Sequence, residues 1–310
     1  MPEPRIGVVG ATGAVGKVTL ELLAERGFDQ LRAFASSRSA GKTVGDVPVE
    51  EASADVLRAG DLDLCFFSVG TEASRELVPH AVAGGALVID KSDAYRLADG
   101  VPLAVAGVND QALNGAEIVA NPNCSAIQLS CVLKPLHDMA GIARVRLATY
   151  QSMSGAGDAA VERLRASDPM DADLAMDWDL EGEEFAEEWK LRAETRKILG
   201  LPDLPLQAQC VRVPIAIGHA QAIWIETETP LESEEARRLL EAAPHVRLQD
   251  YATPRDAAGA DEVLVGRIRA DSTDPRGLSL WTVCDNLRKG AALNAVQVAE
   301  LLLERRLLAA

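Results

Sequence analysis

Short apolar runs alternate with helical hydrophobic stripes over the first 125 positions. The runs at 5–9, 62–68 and 86–90 predict buried strands, and another strand is predicted to end near Ala35. A helical stripe through Val18, Leu22 and Leu23 follows the first strand, and a second covers 73–83. Strands that alternate with helices in this way indicate a parallel, doubly wound sheet.

The pattern changes after position 125 to longer runs in which hydrophobic and polar residues alternate. Strands are predicted at 145–151, 209–214, 220–226, 263–270 and 278–284. Asp274-Pro275-Arg276-Gly277 is predicted to be a turn between the last two. We therefore expect an α/β chain with a Rossmann-like doubly wound parallel sheet plus a second α+β domain with a mixed or antiparallel sheet.

The domain boundaries follow from this change of pattern. We expect a first domain over 1–124 and a second over 125–285. The segment 286–310 is predicted to be a helix with Leu293, Val296, Ala299 and Leu303 on one face, long enough to return to and complete the first domain.

A glycine-rich turn follows the first strand. The sequence there is Gly10-Ala11-Thr12-Gly13-Ala14-Val15-Gly16. A strand, a glycine turn and a helix in this order place backbone N–H groups at a helix N-terminus, where a pyrophosphate binds. Gly10, Thr12, Gly13, Ala14, Val15 and Gly16 are therefore candidate cofactor ligands, and a plain tight turn is the alternative.

Position 38 bears on the choice of cofactor. An NAD site would carry an acidic residue after the second strand, whereas this strand is followed by Ser36, Ser37 and Arg38. Hydroxyls and a guanidinium suit a 2′-phosphate, so the sequence favours NADP; an ordinary polar loop is the alternative. Ser68, at the end of the later predicted strand 62–68, is a candidate cofactor ligand, and a strand-to-helix turn is the alternative.

Cys124 is the candidate nucleophile. It lies in Asn121-Pro122-Asn123-Cys124-Ser125, and the apolar stripe after it predicts a helix that begins here. A helix N-terminus lowers the pKa of a thiol, and a thiolate is a nucleophile. The alternative is a buried structural cysteine.

Composition narrows the class of protein. The 310 residues carry a net charge of -16 with a pI near 4.7, which disfavours nucleic acid and anionic membranes as partners. No apolar run is long enough for a membrane span and no signal peptide precedes Arg5. The other cysteines lie in apolar contexts without metal-ligand spacing: Cys65, Cys131, Cys210 and Cys284. We expect a cytoplasmic protein with reduced thiols and no metal.

Ordered motifs along nearly the whole chain resemble the aspartate-β-semialdehyde dehydrogenase family. Besides the glycine turn and the Cys124 motif, they are Gln151 with Ser154-Gly155-Ala156-Gly157, Glu194-Thr195-Arg196-Lys197-Ile198-Leu199, Arg212-Val213-Pro214, Gly218-His219, Val265-Gly266-Arg267 and Asp285-Asn286-Leu287-Arg288-Lys289-Gly290-Ala291-Ala292.

The resemblance implies NADPH-dependent reduction of aspartyl phosphate to the semialdehyde through a Cys124 thioester, in a homodimer or a higher homo-oligomer. It implies that His219 is the acid/base and that Gln151 positions the acyl group. It also implies that Arg212 binds the substrate carboxylate, Glu194 its amino group, and Arg96 with Lys197 the phosphate. Asn123 would contact substrate, and Gly155 and Asn286 the cofactor.

Taken singly, these residues have plainer interpretations. His219 could be a structural histidine, Glu194 and Lys197 a surface ion pair, and Gln151 and Arg212 polar strand ends. The acidic run 181–188 is predicted to be a solvated helix face.

The chain also departs from the family pattern at Lys91, at Ala106-Gly107 and, above all, in a shortened stretch that includes 167–177. Two other functions therefore stay open: a paralogue that reduces another acyl phosphate or an acyl thioester, and a non-catalytic NADP-binding paralogue.

Overall fold

The computed structural model describes residues 3–167 and 175–309, so most of the departing stretch 167–177 lies outside the described residues. The chain divides into two compact units. The first comprises Met1–Pro122 together with Ala291–Ala310, and the second comprises Asn123–Gly290.

The first unit begins with ten elements in chain order: β1 (Ile6–Val9), α1 (Ala14–Glu25), β2 (Leu31–Ala35), β3 (Thr43–Val44), β4 (Val47–Glu51), α2 (Ala54–Arg58), β5 (Leu64–Phe67), α3 (Thr71–Ala83), β6 (Leu87–Asp90) and β7 (Ile118–Ala120). The second unit contains α4 (Cys124–Ala140), β8 (Ile142–Gln151), α5 (Asp158–Ala166), β9 (Leu180–Glu181), β10 (Glu184–Phe185), α6 (Ala186–Leu199), β11 (Leu206–Arg212), β12 (His219–Thr227), α7 (Ser233–Glu241), β13 (Val246–Leu248), α8 (Pro254–Ala257), β14 (Val263–Ala270) and β15 (Gly277–Cys284). A π-helical turn (Arg288–Ala292) leads into α9 (Leu293–Ala309), which belongs to the first unit.

The sheet of the first unit has the order β3-β4-β2-β1-β5-β6-β7. Its strands pair in parallel except for the short antiparallel pair β3 and β4. The chain passes from β1 to β2 on one side and later to β5 on the other, so the strand order reverses at β1. Ligands of doubly wound sheets bind at such a switch point, beyond the carboxyl ends of the strands.

Side chains of β1 pack on both faces of this sheet, as the continuous apolar run predicts. Ile6 and Val8 join a core cluster with α1 and α9, in which Leu293, Val296 and Ala299 are buried. Val9 packs on the opposite face with residues of α2 and α3. The parallel, doubly wound arrangement predicted for this region is confirmed. The hairpin β3–β4 was not predicted, because β3 has only two residues and Pro48 in β4 weakens the strand pattern.

The sheet of the second unit has the order β11-β8-β12-β15-β14-β13. β8 is parallel to β11 and antiparallel to β12, while β15 is antiparallel to both β12 and β14. The predicted mixed sheet is therefore confirmed. The predicted turn before β15 is also confirmed, with the Gly277 N–H donating to the Asp274 carbonyl at 2.9 Å.

One face of this second sheet is covered by helices, and the other is open except near Trp281, where Ala252 and Ala257, the latter in α8, pack against it. Helices α4, α6 and α7 contact its strands, and the inward side chains of β8 and β12 are buried. Side chains on the other face alternate with them and include Tyr150, Trp224 and Trp281, of which Trp224 is 52% exposed. Apolar aromatic residues on an open sheet face indicate an interaction surface.

No helix among the described residues has both the length and the apolar character needed to cross a membrane.

Candidate active site

The glycine turn of the first unit has the geometry that its sequence requires. Gly10 has φ +83°, and a Cβ added there would lie 2.3 Å from the Ser68 carbonyl oxygen. A Cβ on Gly16 would lie 2.2 Å from the Gly10 carbonyl oxygen. Only glycine fits these positions, where strand, turn and helix approach one another closely.

Helix α1 begins directly after this turn and has no side-chain cap at Gly13. The first N–H groups of a helix lack intrahelical partners, and the dipole adds positive potential there. Thr12, Ala14 and Val15 lie in the same turn and helix start, which can therefore receive a pyrophosphate through backbone donors.

Ser36, Ser37 and Arg38 are exposed and directly follow β2. Because β1, β2 and β5 are parallel, these residues and Ser68 lie at the same sheet edge as the glycine turn. Arg38 makes no hydrogen bond or ion pair with any residue in the described part of the chain. Its guanidinium is available to an anionic group bound at this edge.

Arg96 is also in the first unit, and it is 8% exposed. Its Nε donates to the Asn121 carbonyl at 3.1 Å and its Nη2 to the Lys91 carbonyl at 2.6 Å, while Nη1 pairs with Asp93 at 2.8 Å. The guanidinium is thus held by the loop after β6 and by a residue three positions before Cys124. Lys91 contributes its backbone to this arrangement.

Cys124 is the first residue of α4, as predicted. The Asn123 side chain caps the helix by accepting the Ser125 N–H at 2.8 Å. Cys124 is half-buried, whereas burial raises the pKa of the thiols of Cys65, Cys131, Cys210 and Cys284. Of the five thiols, Cys124 is the one placed to react. A Cβ on Gly290 would lie 3.0 Å from the Cys124 Cβ, so glycine is needed beside it.

Three candidate residues of the second unit meet at one sheet edge. Gln151 ends β8 and Arg212 ends β11, and the two are register partners in a parallel pair. His219 begins β12, which is antiparallel to β8 and therefore starts where β8 ends. All three are buried, with exposed fractions of 3% or less. Gln221, two residues along β12, donates to the Ser125 carbonyl at 2.9 Å and ties this edge to the start of α4.

His219 lies in surroundings that favour its neutral form. Burial, followed by the nearby Arg212 cation, lowers the pKa of His219 to about 3. The Ser152 backbone N–H donates to Nδ1 at 3.0 Å, so the proton of the neutral ring is on Nε2. Nε2 is buried and has no hydrogen-bond partner among the described residues. A buried N–H donor without a partner is suited to an oxygen of a bound molecule.

Gly155 and Asn286, both predicted to contact cofactor, lie beside these residues. A Cβ on Gly155 would be 3.0 Å from Arg212 Nη1 and 3.2 Å from His219 Nε2. The Asn286 Oδ1 accepts from the Ser152 hydroxyl and from the Gly218 N–H, each at 3.0 Å. Asn286 thus joins the two loops that flank His219.

Helix α6 brings further carboxylates to the site. Glu194 is 1% exposed and its Oε2 accepts the Asn123 N–H at 2.6 Å, so Glu194 is not a surface residue. Lys197 lies one turn farther along the same helix and is half-buried.

Glu187 was not identified from the sequence. Its carboxylate accepts from Gln151 Nε2 at 2.9 Å and from Asn123 Nδ2 at 3.1 Å, and the residue is 6% exposed. The prediction of a solvated helix face over 181–188 is therefore wrong: β9 and β10 occupy part of that run, and α6 begins at Ala186 with Glu187 inward. A usable signal was present, because Glu187 shares a helical stripe with Leu191, Glu194 and Ile198.

Together these groups provide a thiol at a helix N-terminus, a buried N–H donor, a buried guanidinium and two buried carboxylates within one unit. A thiol can attack an acyl group, a guanidinium binds a carboxylate, and a carboxylate binds an ammonium group. The arrangement fits covalent acyl chemistry on a small amino acid.

Comparisons with known proteins agree with this chemistry. A family model described as the semialdehyde dehydrogenase NAD binding domain matches residues 5–116, and one described as the semialdehyde dehydrogenase dimerisation domain matches 176–289. The aspartate-semialdehyde dehydrogenase of Corynebacterium glutamicum is 43% identical over 343 residues, covering 96% of this chain and 99% of that protein.

Solved structures are similar over the same extent. Aspartate semialdehyde dehydrogenase II from Vibrio cholerae, complexed with ASA, has a TM-score of 0.92 at 37% identity, covering 98% of this chain and 99% of its own. The Candida albicans aspartate semialdehyde dehydrogenase with NADP has a TM-score of 0.80 at 25% identity, covering 98% of this chain and 99% of its own. The matched NAD binding domain identifies the cofactor as a nicotinamide dinucleotide. With relatives this similar over nearly its full length, the chain belongs to the aspartate-semialdehyde dehydrogenase family.

Proposed function

We propose that this protein catalyses the reversible NADPH-dependent reduction of L-aspartyl 4-phosphate to L-aspartate 4-semialdehyde, with release of phosphate. The observation that carries the proposal is the cluster formed in the second unit by the start of α4 and the edge of the mixed sheet. It joins Cys124 to buried groups that match each part of an amino-acid acyl group. Relatives named for this activity are 38–43% identical over nearly the whole chain, which supports the same substrate.

The roles of the residues follow from their chemistry. Cys124 Sγ, as a thiolate, attacks the acyl carbon; a C–S bond forms and the C–O bond to phosphate breaks, leaving a thioester. The bound cofactor supplies the hydride that reduces the thioester carbon. The C–S bond then breaks, which releases the aldehyde and restores the thiolate.

His219 assists at the carbonyl oxygen. Its neutral ring carries a proton on Nε2, held there by the Ser152 N–H at Nδ1, so it begins as a donor toward the oxygen that gains charge when Sγ adds. Gln151 and Asn123 position the acyl group next to Cys124. Cys124 is thus the nucleophile, His219 is the acid/base, and Gln151 and Asn123 are the positioning groups.

Substrate charges are matched by the remaining residues. Arg212 binds the α-carboxylate, because a buried guanidinium offers a planar fork to both oxygens. Glu194 binds the amino group. Arg96 and Lys197 bind the phosphate, and these cations make a doubly charged acyl phosphate acceptable to a protein of net charge -16.

We assign cofactor binding to the first unit and catalysis with dimerisation to the second. Ser36, Ser37 and Arg38 select NADP by binding its 2′-phosphate. The rest of the dinucleotide is contacted by Gly10, Thr12, Gly13, Ala14, Val15, Gly16 and Ser68, and by Gly155 and Asn286. The five cysteines form no disulfide in the described part of the chain and four of them are buried, which supports a cytoplasmic location.

The homodimer forms, in our proposal, through the open face of the second sheet. This face carries Tyr150, Trp224 and Trp281, and Trp224 lines a groove of about 650 Å³ together with residues of β8, β11 and β15. A second copy is the partner that the matched dimerisation domain supports. A two-fold interface requires a self-complementary patch, and an open sheet face with both Arg146 and Glu226 provides charges of both signs.

The test is phosphate-dependent oxidation of L-aspartate semialdehyde, followed by NADPH absorbance. We expect turnover by the wild type and its loss in Cys124→Ser, which should still bind NADPH. N-acetyl-glutamate semialdehyde serves as the comparison aldehyde. Activity on that aldehyde alone would refute the proposed substrate, and a fully active Cys124→Ser would refute the nucleophile.

A further inference from the structure

Arg212 is held on several sides by its own chain. Its Nε donates to both carboxylate oxygens of Asp177, at 2.9 and 3.2 Å, and its Nη1 donates to the Ser152 carbonyl at 3.0 Å. The Trp178 ring stacks on the guanidinium, with 4.6 Å from Cζ to the ring centroid. The plane and the rotation of the guanidinium are therefore both determined.

The backbone brings Asp177 to this position. Ala175 and Arg212 exchange a pair of N–H···O bonds at 2.9 and 2.8 Å, so the segment that carries Asp177 runs antiparallel to the end of β11. Asp177 and Arg212 are separated by 35 residues in sequence. Asp177 also lies in the stretch where this sequence departs from the family pattern, so the contact is a feature of this chain's own segment.

The edge of Arg212 that Asp177 occupies matters for what the guanidinium can still bind. Both Asp177 oxygens are directed at Nε, and Nη2 makes no hydrogen bond to any residue in the described part of the chain. A bidentate carboxylate contact uses two parallel N–H groups. Asp177 takes the Nε–H, so the Nη1–Nη2 end of the guanidinium is the one left for a substrate, since Nη1 carries a second N–H besides the one donated to Ser152. Asp177 therefore orients the guanidinium through Nε and leaves this end to the substrate.

The burial of the two charged side chains also indicates that Asp177 orients Arg212 without fully neutralising it. The Arg212 side chain is 4% exposed and that of Asp177 is 39% exposed. The Asp177 carboxylate stays partly hydrated, so solvent weakens its neutralisation of the cation, while its hydrogen bond keeps the direction of the guanidinium. A long, flexible side chain otherwise loses rotamer entropy each time it binds a ligand.

We propose that Asp177, with Trp178 stacked beside it, is a positioning residue that sets Arg212 to recognise the α-carboxylate of the substrate. This proposal rests on the proposed function, in which Arg212 contacts that carboxylate. Its chemical prediction is specific: loss of Asp177 should weaken recognition of the carboxylate and leave the handling of the aldehyde group unchanged.

The experiment compares two aldehydes in wild type, Asp177→Ala and Asp177→Asn. L-aspartate semialdehyde carries the α-carboxylate, and 3-aminopropanal is the same molecule without it. The ratio of their kcat/KM values measures carboxylate recognition, because effects common to both aldehydes cancel. We expect Asp177→Ala to lower this ratio about tenfold, mainly through KM for the semialdehyde. Asp177→Asn should recover most of the ratio, since its amide oxygen can accept the Nε–H.

A matched control is available in the same unit. Asp250 pairs with Arg237 at 3.0 Å, and its side chain is 48% exposed. Asp250→Ala should leave the ratio within about twofold of the wild type, because removing a surface ion pair changes little. The NADPH dissociation constant should be the same in all variants.

Four outcomes would overturn the proposal. Tighter binding of the semialdehyde by both Asp177 variants would show that the carboxylate competes with substrate. An equal loss on both aldehydes would show a purely structural role. A wild type that oxidises neither aldehyde would refute the proposed function and, with it, this proposal; an active wild type with an unchanged ratio in Asp177→Ala refutes this proposal alone.

Discussion

At the residue scale, the histidine of the site carries an energetic cost that depends on pH. Burial and the Arg212 cation keep the imidazole of His219 neutral, with a pKa of about 3. In the unfolded chain a histidine takes up a proton near pH 6.5. The unfolded state therefore binds the proton more readily, and the free energy of unfolding falls as pH decreases through this range.

The first prediction concerns this pH dependence. Relative to His219→Asn, the wild type should lose about 1.4 kcal/mol of unfolding free energy between about pH 7.5 and 5.5. Urea unfolding of both proteins at several pH values measures the difference. Parallel curves for wild type and His219→Asn would show that His219 takes up a proton in the folded protein as readily as in the unfolded chain.

The second prediction concerns the residue after β2 that selects the cofactor. Arg38→Ala should weaken NADPH binding by about 10- to 150-fold, the value of a charge-assisted hydrogen bond of about 1.5–3 kcal/mol, and change NADH binding little. Fluorescence titration with both cofactors measures this. Arg165→Ala, an exposed cation on α5, is the control; tighter wild-type binding of NADH than of NADPH would contradict the NADP assignment.

At the scale of elements, one helix face organises much of the site. Glu187 and Glu194 are seven residues apart on α6, so both carboxylates lie on the same stripe two turns apart. Glu187 fixes the amides of Gln151 and Asn123, while Glu194 binds the backbone of Asn123. Because Gln151 Nε2 donates to Glu187, the amide of Gln151 is oriented with its oxygen directed away from that carboxylate.

The third prediction follows from this helix face. Glu187→Ala should lower kcat by about ten- to a hundredfold, because misplacing a positioned group by about 1 Å is enough for such a loss. Glu187→Gln should retain more activity, since it keeps an acceptor oxygen. Steady-state kinetics measures both, with the exposed Glu183→Ala as control. A Glu187→Ala variant with wild-type kcat would mean that Gln151 and Asn123 need no support from α6.

At the scale of the whole molecule, the proposed homodimer would bury the open face of the second sheet. Its aromatic side chains would be left in water in a monomer, and burying them between two copies is favourable. The matched dimerisation domain extends over most of this sheet.

The fourth prediction tests this assembly. Sedimentation should give a mass of about 66 kDa, twice the 33.0 kDa chain. Trp224→Asp should dissociate the dimer, because a buried interface tryptophan contributes about 2–4 kcal/mol. Met139→Asp changes an apolar residue that is 54% exposed on α4, a helix of the covered face, so it should remain dimeric. A wild type that sediments near 33.0 kDa at micromolar concentration would contradict the proposal.

The sequence by itself determined the features that depend on short stretches of chain. The glycine turn before α1, the start of α4 at Cys124 and the alternation of β8, β12 and β15 were all predicted. These features follow from backbone conformations and side-chain periodicities that are local, such as the positive φ of Gly10 and the cap at Asn123. The ordered motifs also identified the family.

Only the tertiary structure decided which distant side chains meet. Glu187 is 64 residues from Asn123, and Asp177 is 35 residues from Arg212. No local pattern encodes either contact, because each depends on how α6 packs against α4 and on where the segment after position 174 joins β11. The helical stripe of α6 can place Glu187 on the inward face, but packing alone makes Glu187 a partner of Gln151 and Asp177 a partner of Arg212.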